Sequence, residues 1–153
     1  MEKESVSESI HSIAVGVSAP LQHEKLRLPR LYNALATLHQ LLGEGSWVGL
    51  YLYEDGALWL GPFQGSPACE RIQPGKGVVG SCYQQEKTIF VEDVTKIENY
   101  ICCDTSAKSE ICAPIYREGR IIAILDVDLP VTHDFLGEVK AYEAFVDAIA
   151  PLL

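Results

Sequence analysis

The chain predicts an α+β fold: a single domain whose mainly antiparallel central sheet carries N- and C-terminal helices packed on it. Three observations lead there. A leucine-rich helical repeat precedes an aromatic, β-friendly middle. An apolar stripe at helical spacing closes the chain. Turns built on Asp-Gly and Glu-Gly join runs that read as neighbouring strands. At 153 residues the chain can hide about 70% of its unfolded surface, enough for one proper core.

Residues 1–18 read as an N-terminal extension able to form a short helix from Ser7-Glu8-Ser9-Ile10, with Gly16 and Pro20 as breakers. The domain itself is expected over 19–153. Leu26, Leu28, Leu31, Leu35, Leu38 and Leu42 recur near the helical period, and Gly43 stands where a helix stops, which predicts a helix over 22–42. Trp47 to Tyr53 and Ala57 to Gly61 are strand-like runs joined by Glu54-Asp55-Gly56, a strong hairpin signal. A third strand is expected over 68–72. Pro74-Gly75-Lys76-Gly77 then turns the chain into a short helix over 78–84. Residues 88–91, 109–116 and 120–129 complete the strands, the last two joined through Arg117-Glu118-Gly119. Phe135, Val139, Tyr142, Val146, Ile149 and Leu153 share one stripe of a closing helix.

Composition removes several function classes. The net charge is −9, with 12 Lys and Arg against 21 acids, so a phosphate backbone or an anionic membrane surface would be repelled. Neither nucleic acid nor membrane is an expected partner. No window approaches the ~20 apolar residues of a membrane span, and the first residues lack a signal-peptide pattern, so a soluble, cytoplasmic protein is expected. Cys69, Cys82, Cys102, Cys103 and Cys112 form no C-x-x-C pair. That argues against a disulfide framework and against a zinc site; no metal and no cofactor is expected. His11, His23, His39 and His133 show no ligand spacing. The Gly75 to Gly80 segment lacks the longer phosphate-loop pattern.

The chemistry concentrates elsewhere. Cys103, in the run Tyr100-Ile101-Cys102-Cys103-Asp104, precedes Glu110 and the alternating acids Asp126 and Asp128. A thiol brought near three carboxylates suits redox work on a small amino-bearing substrate. Asp126 and Asp128 are two apart on an expected strand and therefore share a face, unusual for charges flanked by Ile-Ile-Ala-Ile-Leu and Leu. Clustered buried acids repel one another, which should raise at least one pKa and keep that carboxyl protonated near neutrality. Ion pairs of the two aspartates with Arg120 or Arg71 are the alternative.

Trp47-Val-Gly-Leu-Tyr51, Leu60-Gly-Pro-Phe-Gln-Gly65, Ala68-Cys69-Glu-Arg-Ile72, Gly75-Lys-Gly-Val-Val-Gly80, Cys103-Asp104, Ser109-Glu110-Ile111 and Leu125-Asp-Val-Asp128 occur in this order. Together they resemble the free methionine-R-sulfoxide reductases, which are built on a GAF-type domain. The resemblance implies a GAF-like catalytic domain over 19–153. It also implies reduction of the R epimer of free methionine sulfoxide, recycling by thioredoxin, and a homodimer.

By the same resemblance Cys103 is the nucleophile, and thiols matching Cys69 and position 79 resolve its oxidised form. Position 79 is Val79 here, which leaves Cys69 as the expected resolver. Trp47 and Tyr51 match positions lining the pocket for the methyl end of the substrate, and a spacing of four on a strand puts them on one face. A sulfoxide oxygen must be protonated to leave, so a thiolate needs a neighbouring acid. Glu110, Asp126 and Asp128 are the candidates for that donor and for holding the substrate ammonium. Without the resemblance, Cys103 and Cys69 read as packed thiols and Trp47 and Tyr51 as core aromatics; Cys82, Cys102 and Cys112 are read as core thiols in either case. The competing expectation is a non-catalytic GAF module that binds a small molecule, favoured by Val79. Such modules usually sit beside an output domain, and none is apparent in the chain.

Overall fold

Among the described residues six strands pair antiparallel throughout in the order β3-β2-β1-β6-β5-β4. They are β1 (Trp47–Glu54), β2 (Ala57–Gln64), β3 (Arg71–Ile72), β4 (Ile89–Val91), β5 (Ser109–Arg117) and β6 (Arg120–Leu129). This is a computed structural model, and it describes residues 4–98, 100 and 106–153. Among the described residues four α-helices accompany the sheet: α1 (Val6–Val17), α2 (Arg27–Leu42), α3 (Gly77–Gln85) and α4 (Val139–Ile149). The expected α+β architecture is what forms.

Alternation along the strands divides the molecule into two cores. Val48 and Leu50 of β1, Leu125 and Val127 of β6, and Ile111, Ala113 and Ile115 of β5 face α1, α2 and α4, where Ile10, Leu35, Leu38, Tyr142 and Phe145 meet them. Trp47, Tyr51, Leu58, Cys112 and Ile124 point the other way and are covered by Val78, Val79 and Cys82 of α3. The first core holds the sheet to the helices. The second is smaller and contains the polar residues discussed below.

Local chemistry explains where the elements begin and end. Ser5 caps α1 with a reciprocal pair of bonds: its Oγ accepts from the Glu8 amide at 3.1 Å, and its own amide donates to the Glu8 carboxylate at 2.8 Å. The helix thus begins before Ser7 and runs past Gly16. The leucine repeat overstates α2, because a 3-10 turn occupies Glu24–Leu26 and the α-helix begins at Arg27. Pro29 accounts for this, since its missing amide must fall in a first turn. Both hairpin turns have two consecutive residues at positive φ, Asp55-Gly56 and Glu118-Gly119, which matches the twist of the flanking strands. The third strand is shorter than 68–72: only Arg71 and Ile72 pair with β2, while the Cys69 carbonyl accepts from the Tyr51 hydroxyl at 2.9 Å. No helix among the described residues is long and apolar enough to cross a membrane.

Candidate active site

Strand register assembles the site. Trp47 of β1 lies opposite Asp128 of β6, which lies opposite Glu110 of β5. One step along, Gly49, Asp126 and Cys112 make a second row. Directly opposed side chains on one face come within about 5.5 Å at Cβ, so three carboxylates and a thiol necessarily meet. All four are buried. The three carboxylates form the floor of a cleft walled by Trp47, Tyr51, Lys76, Gly77, Val78, Val79 and Tyr100.

The aromatic wall is set by close packing. Trp47 stacks on Phe63 at 5.3 Å and lies 6.1 Å from Tyr51, and its indole N–H donates to the Ser66 carbonyl at 2.8 Å. The ring lies over Gly49, where a Cβ would come within 2.5 Å of it. On the opposite wall α3 starts at the cleft with no side chain capping its first turn. Its amides and the Lys76 ammonium therefore bring positive potential to the rim of an acidic floor.

Electrostatics separates the acids into roles. Burial, then the neighbouring Asp126 and Asp128 charges, raises the Glu110 pKa well above the ordinary carboxyl value. Asp126 is also raised by burial, but its hydrogen bonds to Glu110 and Cys112 oppose this. The consistent arrangement has Glu110 protonated and donating to an Asp126 carboxylate. Burial and the three acids likewise push the Tyr51 phenol up. Arg71 stands over the Trp59 ring at 5.3 Å, and Arg120 opens β6 opposite Arg117, so neither occupies the position that the ion-pair alternative requires.

The thiols fall into different settings. Cys69 is disulfide-bonded, whereas Cys82 and Cys112 are free and buried. Cys103, the expected nucleophile, and Cys102 lie outside the described residues. Burial first and Asp126 second push Cys82 up to about 12, an inert thiol. Cys112, read from the sequence as a core residue, is one, and it also hydrogen-bonds Glu110 Oε1 and Asp126 Oδ1, each at 3.4 Å. Its neighbours in sequence are apolar, so only the β5/β6 register discloses it. Lys76 and Tyr100 were also missed; a lysine in a Gly-Lys-Gly turn carries no pocket signal until the turn is placed. Donor atoms of Glu110, Cys112 and Asp126 lie within 4.8 Å of one another, a spacing that could hold a cation. With Glu110 and Cys112 protonated, binding would first have to displace two protons.

Comparison with known proteins identifies the family. A GAF domain model matches residues 27–153. The free methionine-R-sulfoxide reductase of Escherichia coli is 40% identical over 111 residues, covering 72% of this chain and 67% of that protein. The structure of fRMsr of Staphylococcus aureus in its reduced form superposes with a TM-score of 0.84 at 36% identity, covering 100% of this chain and 99% of that one. The free methionine-R-sulfoxide reductase from Neisseria meningitidis, in complex with its substrate, also gives 0.84, at 28% identity over 99% of this chain and 92% of that one.

Proposed function

The chain belongs to the GAF-domain family, among its free methionine-R-sulfoxide reductases, and from that membership we propose that it reduces free L-methionine-R-sulfoxide to methionine. The observation that carries the reading is the buried Glu110, Asp126 and Asp128 cluster beside the Trp47 and Tyr51 wall. An aromatic wall suits a methylsulfinyl group. A floor of acids suits an α-ammonium, and Lys76 with the α3 N-terminus suits an α-carboxylate. A residue within a peptide has lost both of those charges, which accounts for a preference for the free amino acid.

In this reading the Cys103 thiolate attacks the sulfoxide sulfur. Glu110 delivers a proton to the departing oxygen, the Cys103 sulfur takes up that oxygen as sulfenic acid, and methionine leaves. The Cys69 thiol then displaces water from the sulfenic acid to form a disulfide, which a dithiol such as thioredoxin reduces. That Cys69 is disulfide-bonded supports its role as resolver, and Val79 supports its acting without a second resolving thiol. A homodimer in the cytoplasm completes the proposal.

Purified protein supplied with dithiothreitol or thioredoxin should convert free methionine-R-sulfoxide to methionine and leave the S epimer. Cys103→Ser should abolish turnover, whereas Cys69→Ser should complete one turnover and stall with thioredoxin. An unchanged R epimer would sink the reductase reading. Normal cycling by Cys69→Ser would move the resolving role to another thiol.

A further inference from the structure

Cys112 has no part in the scheme above, yet it touches both members of the central acid pair. It does not line the cleft; it sits beneath it, fully buried, in the row Gly49-Asp126-Cys112. We propose that Cys112 is a positioning residue for the acid pair, its sulfur touching both carboxyls and its single S–H donating to the ionised one, which holds the two in register and favours the ionised form of the acceptor. The inference rests on the reductase reading for its catalytic consequence, although the contact itself does not.

The geometry specifies the direction of donation. Burial, then the Asp126 and Glu110 charges, raises the Cys112 thiol well above its ordinary value, so at working pH it keeps its hydrogen and can only donate to a carboxylate. Its sulfur lies 3.4 Å from one oxygen of each acid, while Glu110 and Asp126 are hydrogen-bonded to each other. The single S–H hydrogen goes to the more negative of the two oxygens. Other groups facing these three are Asp128 from β6, the Tyr51 phenol from β1 and the Cys82 thiol from α3. On β4 the residue opposite Cys112 is the apolar Ile89. Among these Cys112 is the donor supplied from below, on the side away from the substrate.

Removing that donor has a signed consequence. An ionised carboxylate loses a stabilising bond, so the acids should titrate higher. Proton donation would then persist to higher pH, and the ionised carboxylate that holds the ammonium would appear later as pH rises. Both limbs of the kcat/KM profile therefore move upward together. A packing defect alone would lower the profile without moving its limbs.

The test uses Cys112→Val, which fills a strand position without a donor, and Cys112→Ser, which keeps one; Cys112→Ala replaces the valine variant should that fail to fold. Carboxyl-13C NMR titration of Glu110 and Asp126 should move upward by about half a pH unit in Cys112→Val, as expected for losing one weak hydrogen bond. Both kcat/KM limbs should follow, and Cys112→Ser should stay near the wild type. Coincident titrations for valine variant and wild type would overturn the proposal, as would equal shifts in the serine and valine variants. If the wild type does not turn over methionine-R-sulfoxide, the reductase reading falls while the carboxyl titration still decides the role of Cys112.

Discussion

Glu110 is where sequence, environment and chemistry meet most tightly. Its place on β5 opposite Asp128 surrounds a carboxyl with other acids, and burial does the rest: the proton stays on through pH values at which a free glutamate is ionised. A raised pKa extends the protonated form upward, so reduction should persist to higher pH than a free glutamate would allow and decline as pH passes the raised value. Glu110→Gln keeps the shape but has no acidic proton, and kcat should fall by roughly 10²- to 10⁴-fold, the usual contribution of a positioned acid. Steady-state kinetics across pH would show it. Unchanged kcat would assign the donor to another group. The acids were legible in the sequence because alternate charges in an apolar run demand an explanation. Cys112 was not, because Ile-Cys-Ala-Pro-Ile is an unremarked apolar stretch until cross-strand register sets the thiol beside Asp126.

At the scale of elements, α3 is the piece whose position the site depends on. It is only nine residues long, and it is held against the turn before it by close backbone contact: the Gly75 amide donates to the Gly80 carbonyl at 2.8 Å. A Cβ on Gly80 would lie 2.4 Å from the Gln73 carbonyl oxygen. Two effects oppose each other in Gly80→Ala. Helix propensity favours alanine by about 1 kcal/mol, but a clash with backbone, which cannot rotate away, costs about 1–3 kcal/mol. The clash should win, lowering stability to urea and displacing Lys76 and the first amides of α3. A misplacement on the ångström scale should cost roughly 10- to 100-fold in kcat/KM, mostly through KM. Wild-type kcat/KM with wild-type stability would show that α3 tolerates the shift. Helix α3 and its preceding turn were readable from Pro74-Gly75-Lys76-Gly77, but their approach to the cleft was not, since it depends on which sheet face the helix covers. The same limit applies to α2, where the leucine period continued past the start that Pro29 imposes.

The molecule as a whole places its two tasks on opposite faces of one sheet. The face toward α1, α2 and α4 is apolar, and the period-2 and period-3.6 patterns that specify it could be read directly from the chain. The face toward α3 mixes aromatic residues with buried acids, and this mixture has a cost that depends on pH. In the unfolded chain Glu and Asp ionise near 4.3 and 3.9. In the folded protein Glu110 and Asp126 have raised pKa values, from burial first, so they keep their protons longer. Their contribution favours the fold fully below the unfolded pKa, declines as pH rises above it, and is spent once pH passes the folded value. Each such group should remove about 1.4 kcal/mol of stability per pH unit within that window. Glu110→Gln, which cannot ionise, should escape this loss, so its stability relative to wild type should grow as pH rises above the unfolded carboxyl value and level off once pH passes the folded one. Urea unfolding at one-unit intervals gives the comparison, with the wild type in its substrate-free form, because a bound ammonium would offset the buried charge. A difference between variant and wild type that stays flat with pH would mean that Glu110 is ionised in the folded protein, and it would remove the acid from the mechanism at the same time.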